Sequence, residues 1–125
     1  SSEIHVWTRE DPYTQMNLQE LLTQFQNIRT SINGDIGQLL NFRGLGGMAA
    51  GFNALCNVST RQKLSVSSIT QFFSVVPTYS RTIKVMTHEI GHLLGSRHTH
   101  ACVWNGNNTA IDGCAIPEGG CTSVM

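Results

Sequence analysis

The stretch His88-Glu89-Ile90-Gly91-His92-Leu93-Leu94-Gly95-Ser96-Arg97-His98 constrains this chain more than any other. Three imidazoles, a carboxylate and a glycine stand there in the spacing H-E-x-x-H-x-x-G-x-x-H. Residues four apart on a helix lie on one face about a turn from each other. His88 and His92 can therefore each aim a ring nitrogen at one cation. A helix that simply ran on would carry His98 roughly 9 Å further along the axis and rotate it off that face. The chain has to turn first, and Gly95 permits the turn. With no Cβ it takes positive φ, closes the helix in a left-handed cap and sends the backbone back toward the first two rings.

Three imidazoles leave one coordination position open. That is the arrangement of catalytic zinc, whereas structural zinc is closed by four ligands, usually including cysteines. His88, His92 and His98 are thus expected to hold one catalytic Zn2+. Glu89 lies beside the first ligand, on the flank of the same face, where its carboxylate can take a proton from a zinc-activated water. It is the expected general base, later returning the proton to the leaving amine. Zinc brings the pKa of its water to about 7 and polarises a carbonyl, so no serine or cysteine nucleophile is required.

The chain has 125 residues, enough for one domain with a core. Lys plus Arg and Asp plus Glu both number 8, so there is no basic field for nucleic acid or an anionic membrane. No run of 18 apolar residues exists to span a bilayer. Residue 1 is not methionine and no charged and apolar leader precedes Ile4, so the chain reads as a mature or excised piece. With zinc provided for by histidines, Cys56, Cys102, Cys114 and Cys121 are expected to serve as disulfides, which implies a secreted, extracellular protein. Three connectivities are open. The crowding of Cys102, Cys114 and Cys121 favours a pair among those three, and a second zinc site lacks any Cys-x-x-Cys spacing.

Ile4-His5-Val6-Trp7-Thr8 alternates and predicts a strand, with His5 a strand-face residue of no metal role. Leu18, Leu21, Leu22, Phe25, Ile28 and Ile32 recur at helical spacing behind Asn17 and Glu20, a capping box, and Asn33-Gly34 stops the helix. Residues 35–42 predict a second strand. Leu64 and Val66 alternate with polar neighbours and predict another, followed by Phe72, Phe73, Val75 and Val76 as core residues. Ser80 is the expected N-cap of the histidine helix over 81–94, with Ile83, Met86, Ile90 and Leu94 as its buried stripe and His88, Glu89 and His92 facing a cleft. Residues 104–113 are a loop by composition. Their Asn and Asp oxygens could bind calcium, but the spacing matches no calcium loop and turn chemistry explains them. The Gly-rich run 44–51 has no Lys-Ser/Thr ending and is not a phosphate cradle. Asn57-Val58-Ser59 and Asn107-Asn108-Thr109 are glycosylation sequons.

The histidine motif resembles that of the metzincin clan of zinc endopeptidases. Ser123-Val124-Met125 is similar to the clan's Met-turn, and the resemblance implies that Met125 lies beneath the zinc as a hydrophobic floor. It also implies that Gly47, Met48, Ala49 and Ala50 form the edge strand that holds a substrate as an added strand, a plain loop being the alternative. Within the clan, Tyr79 to Leu94, the strand-like segments before it and Cys56 look most like the adamalysin or reprolysin type, particularly secreted bacterial versions. Thr99 departs from it, where adamalysins usually carry Asp after the third histidine; His100 is a spare, expected near the site or exposed. The resemblance covers residues 35–125, most closely 79–98, and implies further chain at both ends.

The expected fold is therefore a metzincin-like α/β (α+β) zincin: a twisted mixed sheet, a backing helix and the zinc helix. Residues 1–94 would form an upper subdomain and 95–125 the start of a lower one. The expected function is endopeptidase hydrolysis of a protein or peptide substrate. A zinc-binding but inactive module acting in protein binding is the alternative. A disulfide-stapled adhesion domain without metal ranks last, since it leaves the histidine spacing unexplained.

Overall fold

The structure is a computed structural model that describes residues 3–71, 75, 80–104, 107–111 and 122–123. The chain divides into two compact units, residues 1–95 and 96–125. The first contains helix α1 (Leu18–Ile28), strands β1 (Gly37–Asn41) and β2 (Gly47–Ala49), a 3-10 turn at Thr60–Lys63, strand β3 (Leu64–Ser68) and helix α2 (Arg81–Leu93). Its sheet runs β1-β3-β2, with β1 parallel and β2 antiparallel to the central β3. This is the mixed α/β class the sequence predicts.

The strand predicted around Leu64 and Val66 is present as β3, and every one of its residues is buried, the serines included. Leu64 and Val66 join Leu21, Leu22 and Phe25 of α1, together with Tyr13 and Leu39, in the hydrophobic core. On the opposite face α2 packs over Ser65 and Ser67. Serines are tolerated there because they are small, and Ser67 has a partner as well: Gln38 Nε2 donates to Ser67 Oγ at 3.0 Å and to the Met86 carbonyl at 3.3 Å.

α1 starts where expected, with Asn17 Oδ1 accepting from the Gln19 and Glu20 amides at 3.0 and 3.3 Å. It stops earlier, at Ile28. Arg29 leaves helical geometry, and Thr30 and Ser31, weak helix formers whose hydroxyls compete for the backbone, follow it. Ile28 is accordingly exposed, while Ile32 returns to pack on the core from outside the helix.

Ile4–Thr8 is not a strand. No strand among the described residues pairs with it, and Ile4 is 84% exposed. Strand propensity without a ladder partner leaves the chain extended only. Side chains hold this segment instead: His5 meets Glu3 at 2.5 Å, and the rings of His5, Trp7 and Tyr13 follow one another in contact.

The buried stripe of α2 also differs from the expected one. Ile83 is 62% exposed and Leu94 is exposed too, whereas Glu89, His92 and Leu93 are buried, with Val85 and Met86 half-buried. Positions 85, 89, 92 and 93 make a helical face of their own. Met86 and Ile90 of the expected stripe are half-buried, so hydrophobicity alone failed at its two ends, because the sheet surface under α2 is made of Ser65, Ser67 and Gly47 rather than large apolar side chains. Val75, expected in the core, is exposed. Phe72, Phe73, Val76 and Tyr79 lie outside the described residues.

The turn between β1 and β2 is set by Gly44 and Gly46 at φ +70° and +89° and by a small polar network. Ser68 Oγ donates to Asn41 Oδ1 at 2.8 Å, and the Leu45 amide donates to Ser68 Oγ at 3.0 Å. This network fixes where β2 begins.

In the second unit β4 (Thr109–Ala110) pairs parallel with β5 (Thr122–Ser123), so the segment read as loop by composition contains a short strand. Asn108 at φ +62° turns the chain into it. Ala101 and Ala110 are its buried apolar residues among those described.

Candidate metal centre

α2 is built to present its histidines. Ser80 Oγ accepts from the Ile83 amide at 3.4 Å at the N-terminus. At the other end the Leu94 amide bonds to the Ile90 carbonyl and the Gly95 amide to the His92 carbonyl, with Gly95 at φ +96°. The left-handed cap predicted from the spacing is present. A bond of 2.6 Å from the Ala54 amide to the Leu93 carbonyl ties the helix end to the chain beyond β2.

His88 and His92 lie one turn apart with their Nε2 atoms 3.1 Å from each other and their rings at 80°. Tetrahedral ligands 2.0–2.1 Å from zinc stand about 3.3 Å apart, so this separation fits two imidazoles on one ion. A ring nitrogen of His98 completes the group: the ligating atoms of His88, His92 and His98 all lie within 4.8 Å of one another. His88 is exposed, His92 is 9% exposed and His98 is half-buried. A borderline cation with three nitrogen donors is the chemistry of zinc.

His98 is held locally by its own backbone. Its carbonyl accepts from Trp104 Nε1 at 2.7 Å and from the Ala101 amide at 3.0 Å. Its ring stacks on His100 at 4.9 Å and 19°, and His100 is not one of the three clustered histidines. No sequence signal marked Trp104 for this task. Phe52 is another residue the sequence reading missed: its ring centroid is 5.1 Å from that of His92, from an irregular segment with no periodicity to place it.

Glu89 is 6% exposed and lies against β2. A Cβ built on Gly47 would overlap the Glu89 carboxylate and stand 2.6 Å from its Cγ and 2.7 Å from its Cδ. The side chain therefore occupies the space a residue other than glycine would fill.

β2 is an edge of its sheet, and its register sorts the residues expected to hold a substrate. The Ser68 amide bonds to the Gly46 carbonyl and the Ala50 amide to the Leu64 carbonyl, which makes Gly46, Met48 and Ala50 the positions bonded to β3. Met48 and Ala50 also pack on the core. Gly47 and Ala49 turn their amide and carbonyl groups outward, to the free edge. Met125 lies outside the described residues, as do Cys114 and Cys121. Cys56 is an exposed free thiol.

A family model described as Reprolysin_5, Metallo-peptidase family M12, matches residues 2–125. The match takes in the N-terminal residues that the motif resemblance left out. No curated protein and no solved structure matches the chain. With two imidazoles on a capped helix clustered with a third, in a mixed α/β chain matched along nearly its whole length, the protein belongs to metallopeptidase family M12, of the reprolysin type.

Proposed function

We propose that the protein is a zinc-dependent endopeptidase, with His88, His92 and His98 as the ligands of one Zn2+ and Glu89 as the general base. When bound, zinc supplies Lewis acidity that makes a water more acidic and a peptide carbonyl more electrophilic. The substrate strand lies along the free edge of β2 and bonds to the outward backbone groups of Gly47 and Ala49. Glu89 takes a proton from the attacking water as its oxygen bonds to the scissile carbonyl carbon. As the carbon–nitrogen bond breaks, Glu89 gives that proton to the amine nitrogen.

The observation that carries the proposal is the convergence of the three ring nitrogens, with the buried Glu89 carboxylate on the same helix. Purified protein should contain zinc by elemental analysis and cleave casein, and a chelator should abolish cleavage that added zinc restores. Glu89→Gln should retain zinc while kcat falls by about 10²–10⁴. Full casein cleavage by that variant would refute the role of Glu89. Bound zinc with no chelator-sensitive cleavage would favour an inactive module that binds a partner.

A further inference from the structure

We infer that Gly47 is a positioning residue for the reaction: by lacking a side chain it seats the Glu89 carboxylate against β2 while its own backbone faces the substrate. The inference rests on reading Glu89 as the base, and it concerns what aims that base.

Gly47 pairs with Ser67 across the ladder, so its missing Cβ points to the face of the sheet that α2 covers. Glu89 occupies that space. Its Cγ and Cδ would be 2.6 and 2.7 Å from a Cβ there, and atoms not bonded to each other do not approach so closely. The neighbouring residue facing the same way, Ala49, carries a Cβ with no such requirement, so the need for glycine belongs to one position of β2. Gly47 is not in the left-handed region, since the positive-φ glycines are 44, 46 and 95. Backbone conformation therefore does not call for glycine at 47; the glutamate does.

The same residue turns its amide and carbonyl to the free edge. One backbone unit thus touches the base on one side and offers hydrogen bonds to the substrate on the other. The distance between carboxylate and scissile bond follows from that double contact. A methyl group at 47 has to push Glu89 by roughly 1 Å, and a misplacement of that size can cost about 100-fold in rate.

The test is a cycle of Gly47→Ala and Glu89→Ala in the full chain. With Glu89 present, Gly47→Ala should lower kcat about 100-fold with KM changed less than about 3-fold, leave zinc affinity in chelator competition unchanged, and lower the melting temperature. With Glu89→Ala the space is open, and the same substitution should leave the melting temperature where Glu89→Ala alone puts it. A Gly47→Ala enzyme with undiminished kcat would overturn the inference. So would a melting-temperature loss equal in both backgrounds, which would mark Gly47 as a glycine the strand needs for itself. Should neither parent nor variant cleave any substrate, the peptidase reading fails by itself, and the melting cycle still decides whether Gly47 seats Glu89.

Discussion

Gly95 carries most of what a single residue can say about this protein. Its place three residues after His92 and three before His98 predicted a left-handed cap, and it stands at φ +96°. A side chain there is penalised by the backbone rather than by crowding: the left-handed conformation costs about 1–2 kcal/mol for an L-residue, while a Cβ would meet the Cβ of Asn53 at 3.4 Å, an ordinary contact. Gly95→Ala should therefore lower stability by about that amount in urea denaturation and weaken zinc binding more than 10-fold, because the chain leading to His98 is re-aimed. Unchanged zinc affinity would show that the turn does not depend on this glycine. His88, Glu89, His92 and Gly95 were legible because helical period and glycine stereochemistry are local rules. Gly47 was legible only as part of an edge strand. Its contact with Glu89 joins residues far apart in sequence, and no local rule predicts it.

At the scale of elements, β3 and α2 show how a polar alternation can mislead. Leu64-Ser65-Val66-Ser67-Ser68 has the pattern of a strand with one wet face, yet its sequence neighbours do not determine its place in the sheet. It is the central strand, covered by α1 on the leucine side and α2 on the serine side. The face of α2 that packs there meets small residues, so it can bury Glu89 and His92 and leave Ile83 and Leu94 outside. The two buried serines should respond differently to truncation. Ser65 Oγ has no hydrogen-bond partner among the described residues, so Ser65→Ala should keep stability or raise it by up to about 1 kcal/mol. Ser67 Oγ accepts from Gln38, and Ser67→Ala should cost about 1 kcal/mol by removing one of that amide's two acceptors. Urea midpoints that fall equally for both variants would contradict this account of the α2 face.

Across the whole molecule, the core of the first unit depends on Tyr13 as well as on aliphatic side chains. Tyr13 is 3% exposed, with its ring edge-on to Phe25 and Trp7. Burial raises its phenol pKa above 10.0, the Arg29 guanidinium pulling the other way. A raised folded-state pKa means the native state holds the proton more tightly. This contribution is intact below about pH 10 and is lost as pH climbs through the raised value. As pH rises above about 10 the melting temperature of the parent should fall more steeply than that of Tyr13→Phe, and parallel slopes would exclude the effect. Neither this burial nor the lone course of Ile4–Thr8 could be read from the residues, since both depend on which elements come to lie over them. What the amino-acid order alone determined was the helix, its caps and the three imidazoles, all set by dihedral preferences and the pitch of 3.6 residues within a short span. Tertiary structure decided the rest. It made β3 central and β2 an edge, and it turned the carboxylate face of α2 onto a glycine, because pairing and burial are contacts between distant segments that a local pattern does not encode.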